Sequence, residues 1–311
     1  MIKKTYSLII VMSIIISAVV LIVPSCNNIT ERSYMNINIF RNTEAWELAQ
    51  AVDRQNEKKI KEIAEANPEL LNYQDEEYRL TLLIWAVGVE KYPSVEALLE
   101  AGADPDIISD YLGYNALFLA CGYSWIDNDA KEDAKYVDLL LKYNADPNMV
   151  FVGGEGSDTL TEIGTSPLME SIDCGIDKIK ALIDAGADLN YKTSSGQTAA
   201  IQALLKVGPN STIEPMRVAH YIIAEKKAEI TGTYKNVWMN EIVSDKENSP
   251  VDLLRNWLPK LDTEEYKLKL EVIQEFKNQG IDYWSTKIPD ERLTKIKKLY
   301  PDAWEDYSKR Y

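Results

Sequence analysis

Ala101-Gly102-Ala103-Asp104-Pro105-Asp106 returns, varied, as Asn144-Ala145-Asp146-Pro147-Asn148 and again as Ala185-Gly186-Ala187-Asp188-Leu189-Asn190. Each copy closes an apolar run with helical spacing: Val95-Glu96-Ala97-Leu98-Leu99, Val137-Asp138-Leu139-Leu140-Leu141 and Ile179-Lys180-Ala181-Leu182-Ile183. A glycine or asparagine after such a run supplies the left-handed residue that ends a helix. A phrase repeated on this scale means stacked units, each too small to bury its own apolar face. Such stacks present extended binding surfaces rather than enclosed catalytic pockets.

A second phrase precedes each of these and occurs once more after the last. It reads Thr81-Leu82-Leu83-Ile84-Trp85-Ala86, Gly113-Tyr114-Asn115-Ala116-Leu117-Phe118-Leu119-Ala120, Gly164-Thr165-Ser166-Pro167-Leu168-Met169-Glu170-Ser171 and Gly196-Gln197-Thr198-Ala199-Ala200-Ile201-Gln202-Ala203. Ser or Thr ahead of Pro is a helix start: the hydroxyl caps free N–H groups and Pro fits the first turn. A degenerate copy lies at Ser249-Pro250-Val251-Asp252-Leu253-Leu254, and an amino-terminal half-match runs Leu48-Ala49-Gln50-Ala51-Val52 into Ile60-Lys61-Glu62-Ile63-Ala64. Together the two phrases resemble the ankyrin repeat. That resemblance implies an all-α solenoid of about six helix-turn-helix repeats with short β-hairpin fingers over residues 43–285, followed by a helical cap at 286–311.

Two departures from the family pattern stand out. Its histidine position is taken by Ile84, Phe118, Met169 and Ile201, which predicts greasier packing. Gly102, Asn144 and Gly186 are spaced 42 residues apart, against about 33 for the family's unit. Insertions must fill the difference: Tyr123 to Asp133 between the helices of the third repeat, the Gly-rich stretch Met149 to Ile163, and Val207 to Pro215 within the fifth.

The amino terminus reads as a lipoprotein leader over 1–25. Lys3 and Lys4 open it, Leu8 to Val23 is apolar apart from Ser13 and Ser17, and Val23-Pro24-Ser25-Cys26 resembles the bacterial lipobox. Cys26 is then the lipid attachment site, and residues 26–42 form a polar tether. An uncleaved anchor is the competing reading, though the apolar run is short for a span of about 20 residues. Asn27 after the cysteine points, by resemblance, to the outer membrane facing the periplasm. Translation from Met35 would leave a cytosolic form carrying the whole solenoid. The formal charge is −15, or −17 once Lys3 and Lys4 leave with the leader. Nucleic acid is an unsuitable partner for such a chain. A protein with a basic surface is a suitable one, although acidity also serves solubility alone.

The inventory for catalysis is thin. The single histidine, His220, sits on a packing helix without an evident nucleophile beside it. Cys121 and Cys174 fall late in first helices of neighbouring repeats, about 10 Å apart by helix spacing, which favours two buried thiols over a disulfide. No Cys/His spacing fits zinc. Asp127-Asn128-Asp129 with Glu132 and Asp133 lacks the glycine and final glutamate of a calcium loop. Gly153-Gly154-Glu155-Gly156-Ser157 lacks the Gly-Lys of a phosphate loop. We expect no cofactor, no metal and no enzymatic activity. At the carboxy end, Leu293, Ile296, Leu299 and Tyr300 form a helical stripe begun by Pro289 and Asp290, read as a cap over the last repeat. A membrane-surface helix is the lesser reading, since the charges there are mixed.

Ankyrin proteins meet partners through hairpin tips and the exposed face of the first helix. Carried over position by position, the resemblance places partner contacts at Glu77, Tyr78, Tyr111, Leu112, Tyr114, Glu162, Thr165, Ser194, Ser195, Gln197, Lys246 and Asn248 on the tips. On the helix face it places Gly88, Val89, Gly122, Tyr123, Asp173, Lys206, Asn256 and Trp257. Tyr111, Tyr114, Tyr123 and neighbouring Trp125 cluster on one repeat and its insertion, and tyrosine and tryptophan supply interface energy out of proportion to their number. The function this implies is a lipid-anchored, monomeric binding protein of the bacterial envelope. Bacterial ankyrin lipoproteins of this layout include immunity proteins that neutralise secreted antibacterial effectors such as lipases. The alternative is an envelope scaffold for resident or stress-defence proteins.

Overall fold

The computed structural model describes residues 33–157, 160–208, 211–239 and 241–311. The expected leader and Cys26 lie outside the described residues. Six helix pairs follow in order: α1 (Trp46–Asp53) with α2 (Glu57–Ala66), α3 (Leu82–Gly88) with α4 (Tyr92–Glu100), α5 (Ala116–Cys121) with α6 (Lys135–Lys142), α7 (Pro167–Glu170) with α8 (Ile176–Asp184), α9 (Ala199–Leu205) with α10 (Ile213–His220), and α11 (Pro250–Leu254) with α12 (Glu264–Asn278). Two further helices, α13 (Asp290–Leu299) and α14 (Trp304–Arg310), close the chain. First helices begin where the sequence caps them. Thr81, Asn115, Ser166 and Thr198 each accept from the backbone N–H three residues on, at 2.9–3.3 Å. Ile84, Met169 and Ile201, in the histidine slot, are buried in the shared core, and Phe118 is buried in a ring row with Tyr114 and Phe151.

The opening phrase does more than end helices. The aspartates Asp104, Asp146 and Asp188 each accept from the N–H two residues later at 2.9 Å, fixing the turn. The last residue of each phrase then reaches across to the next repeat. Asn72 accepts from Asp104 N, Asp106 from Asp146 N, Asn148 from Asp188 N and Asn190 from Glu229 N, at 2.7–2.9 Å. This ladder joins repeats in register along one edge of the stack. Its last rung exposes a disguised copy of the phrase, Lys227-Ala228-Glu229, in which Lys227 takes the left-handed position at φ 63°. Just before it, α10 runs on into one π turn, Tyr221–Glu225, so Ala228 N bonds Ile222 O, one residue further back than in the other copies.

Fingers between repeats carry the expected hairpin pairings: Gln74 with Thr81, Ser109 with Tyr114 and Tyr234 with Asn248. The last finger is the longest and holds a two-stranded ribbon, β1 (Val237–Trp238) antiparallel to β2 (Glu241–Ile242).

Residues 33–42 are not the free polar tether expected of them. Two 3₁₀ turns, Ser33–Met35 and Ile37–Phe40, form a strap packed on the first two repeats. Phe40 is fully buried, Met35 O accepts from Trp85 Nε1 at 3.1 Å, and the Ser33 hydroxyl meets the Tyr78 hydroxyl at 2.7 Å. The polar look of Asn36-Ile37-Asn38-Ile39 conceals this, because Asn36 is spent capping the second turn.

The cap at 286–311 also differs in its anchors. Of the stripe on α13, Ile296 is buried while Leu299 is exposed. Tyr307 of α14 and Tyr311 just beyond it complete the small core instead, with Leu258. Two buried cations pin the cap to the last repeat. Arg255 donates to the carbonyls of Tyr283, Thr286 and Tyr311 at 2.7–3.1 Å. Lys269 donates to Trp257 O at 2.8 Å with its ammonium 3.7 Å from the Tyr311 ring centre. Burial first, and then the neighbouring Arg255 charge, press the Lys269 pKa well below that of a free lysine.

Candidate protein-binding face

The insertion Tyr123–Asp133 folds back on the stack rather than projecting from it. Tyr123 pairs with Ala130, and Lys131 forms an ion pair with Asp127. Trp125 lands flat on α3, where any side chain at Gly88 would overlap its ring. Gly88 is therefore the seat of Trp125 and not an open contact position. Tyr34 of the strap then covers Trp125, ring centres 4.8 Å apart and edge to face. From Tyr34 the rings run on to Tyr78 at 5.9 Å and from Tyr78 to Tyr111 at 5.0 Å. A second row stacks Tyr114 on Phe118 at 5.6 Å and Phe118 on Phe151 at 5.7 Å.

Rings from both rows line an open cleft of about 510 Å³ over repeats three and four. Its lining includes Tyr34, Tyr114, Tyr123, Trp125, Phe151 and Glu170, with Gly156, Ser157 and Thr161 from the Gly-rich insertion. The Gly-rich insertion supplies its part of the lining because it can approach closely: Gly156 leaves room for the Tyr111 ring, and Gly154 for the Tyr111 carbonyl. Among the described residues none lining this cleft is Lys, Arg or His. The Tyr123 hydroxyl holds its proton more tightly than a free phenol, through burial first and then the carboxylates of Asp173, Glu170 and Asp129.

The residues expected at the partner surface divide three ways. Glu77, Tyr123, Asp173, Ser194, Lys206 and Lys246 are exposed, and Val89, Tyr111, Tyr114, Glu162, Asn248 and Asn256 are half-buried. Tyr78, Gly88, Leu112, Gly122, Trp125, Thr165, Ser195, Gln197 and Trp257 are buried. For those nine the expectation of an open contact is corrected. Leu112, Thr165 and Gln197 are buried among the fingers, and Trp257 is wholly enclosed in the main core. Some expected residues hold one another. Glu162 accepts from Ser195 N at 3.2 Å and Ser195 Oγ at 3.0 Å, joining successive fingers, while Asp173 pairs with Lys206 and Tyr78 donates to Glu77 at 2.6 Å.

Sequence reasoning missed three contributors to this face: Tyr34, Phe151 and Glu170. Tyr34 lay in an apparent tether, Phe151 in an apparent loop, and Glu170 at an ordinary helix position. It also missed the tip of the last finger, where Trp238 is 63 % exposed beside Met239, Ile242 and Val243. Naming Lys246 and Asn248 for that finger identified its base alone.

Other candidate chemistry is placed plainly. His220 is buried between Glu271 at 2.5 Å and Glu225 at 3.3 Å, tying α10 to α12, with no nucleophile among these contacts. Cys121 and Cys174 are free and buried, and burial pushes the Cys174 thiol up to about 12. Among the described residues no group of three or more His, Cys, Asp or Glu could hold a metal ion. No described helix is long and apolar enough to cross a membrane.

No family model and no curated protein matches the chain. Solved structures do. An ankyrin repeat domain (ABAYE2397) from Acinetobacter baumannii AYE superposes with a TM-score of 0.52 at 16% identity, covering 73% of this chain and 96% of that one. The fold is an ankyrin-repeat solenoid. The ankyrin repeat protein EF0377 is a further match, at 19% identity and a TM-score of 0.49, over 75% of this chain and 98% of that one. Within the ankyrin frame the cleft occupies the concave side, walled by the two insertions and roofed at one end by the strap.

Proposed function

We propose that this chain is a lipid-anchored protein-binding module of a bacterial envelope, and specifically an immunity protein that binds and neutralises a secreted antibacterial effector such as a lipase. The observation that carries the binding reading is the concave aromatic face. Regular ankyrin packing needs none of Tyr34, Tyr123, Phe151 or the two insertions, yet they converge on one cleft. Aromatic rings interleaved with polar groups around a recess are the composition of interface anchors. The charge of −15 suits a basic partner and fast association. The envelope address rests on the leader and on Cys26, which would leave the strap a short way from the membrane. A start at Met35 would remove Ser33 and Tyr34 and so strip the roof from the cleft.

The test is genetic and biochemical. A strain lacking the gene is expected to be killed by the cognate effector, often encoded alongside, and the full chain to copurify with it. Cys26→Ser is expected to release the protein from the membrane fraction. Unchanged resistance after deletion contradicts the immunity role, and a growth defect without any attacker favours an envelope scaffold.

A further inference from the structure

A smaller recess lies beside the insertion Tyr123–Asp133, bordered by the ends of α3 and α5 and the starts of α6 and α8. Its volume is about 70 Å³, room for a few waters or one small molecule. Val87, Leu119, Ala120 and Trp125 contribute apolar lining. Lys131, Lys135 and Lys178 line it together with Glu90 and Asp133, so the recess is net positive in a chain of charge −15. Most of these charges are spent on neighbours. Lys131 pairs with Asp127, Lys135 with Asp133 at 3.6 Å, and Glu90 accepts from the Ser124 hydroxyl at 2.5 Å.

Lys178 is different. It is 2 % exposed, and among the described residues its ammonium has neither a hydrogen-bond acceptor nor an ion-pair partner. That ammonium is not sealed from water, so it opens on the recess that its side chain lines. It also stands in the first turn of α8, where the helix dipole disfavours a cation. The thiols that feel its charge, Cys121 and Cys174, are kept protonated by burial and offer no counter-charge. A buried, unpaired cation at the positive end of a helix costs stability, and residues held at such a cost belong to sites that bind. We propose that the recess binds a small free carboxylate with a short apolar tail, its carboxylate on Lys178 Nζ and its tail against Trp125, Leu119 and Ala120. One negative charge matches the one unpaired cation, whereas the second charge of a phosphate would meet Glu90 and Asp133. The proposal goes beyond the protein-binding reading and stands without it.

The test titrates the full chain with sodium butyrate, followed by ligand-observed NMR, against three comparison probes. Butyramide keeps the shape without the charge, acetate keeps the charge without the tail, and inorganic phosphate offers a second charge. Saturable binding of butyrate is expected, with butyramide weaker by about tenfold or more and acetate weaker by about tenfold for its two missing methylenes. Lys178→Met keeps the apolar stem and removes the ammonium. It is expected to weaken butyrate about tenfold or more, with a melting temperature at or above that of the wild type. Ala120→Val, at a half-buried position, narrows the apolar part and is expected to weaken butyrate severalfold while sparing acetate. No saturable binding of butyrate, butyramide or phosphate binding as tightly as butyrate, or wild-type affinity in Lys178→Met would overturn the assignment. So would a marked fall in the melting temperature of Lys178→Met together with unchanged butyrate binding in Ala120→Val, since Lys178 would then be a structural cation. Failure of the effector to copurify bears on the immunity reading alone and leaves the butyrate measurements standing.

Discussion

Asp106 is the acidic member of a ladder whose other rungs are Asn72, Asn148 and Asn190. Its carboxyl is held above the ordinary 3.8 by partial burial first and by the charges of Asp104 and Asp146, against the lowering effect of the Asp146 N–H. A carboxyl raised in the folded state favours folding when protonated. That contribution is complete below the unfolded value and is lost as pH climbs through the folded one. At neutral pH the ionised Asp106 therefore weighs against the fold. Asp106→Asn keeps the acceptor for Asp146 N. It also gains a donor toward the carbonyl of Asn144, as Asn148 donates to Gly186 O at 3.2 Å. We predict a gain of ~0.5 kcal/mol at pH 7, small because water screens this half-buried group. Thermal melts should show the gain shrinking on acidification toward pH 4. At this scale the sequence was highly legible. Helix caps, left-handed positions and apolar histidine slots follow from residue type and spacing. Lys227 was not, because nothing in a lysine announces a left-handed turn, and Glu170 was not, because its place at the cleft depends on the empty space at Gly122.

The insertion and the strap are elements built by contact rather than by propensity. Residues 123–133 contain charges and a turn, and their only strong apolar groups are Trp125 and Ile126. What orders them is the socket at Gly88, which belongs to a different repeat. Gly88→Ala places a methyl group inside the Trp125 ring. We predict that Trp125 is expelled, with a loss of ~1–3 kcal/mol as for other overpacked cores and a red shift of tryptophan emission. An unchanged spectrum and melting temperature would show that the insertion does not rest there. Helix pairs, fingers and the positions of all three insertions were readable from local phrases. Their folded shapes were not, because they depend on partners far away in sequence, as Trp85 bonding Met35 and Trp125 meeting Tyr34 edge to face show. The cap illustrates the same limit. A stripe on α13 was visible, but Arg255 and Lys269 meeting the carbonyls and rings of the cap leave no periodic trace.

Across the whole molecule, a regular spine carries an irregular face. The ladder joins the repeats along one edge up to Glu229, and the shared apolar core joins repeats one to six into one stack. Onto its concave side the strap and two insertions deliver Tyr34, Tyr123, Trp125 and Phe151. A separate apolar tip, Trp238 with its neighbours, lies on the last finger. If recognition belongs to the concave face, the two surfaces separate experimentally. The decisive measurement is calorimetric titration of the full chain with its captured partner, comparing wild type, Tyr123→Ala and Trp238→Ser, both substitutions being at exposed positions. The account predicts that Tyr123→Ala weakens binding about tenfold or more, as expected of a central aromatic anchor, while Trp238→Ser stays close to wild type. Loss of binding in Trp238→Ser with Tyr123→Ala unaffected would contradict it.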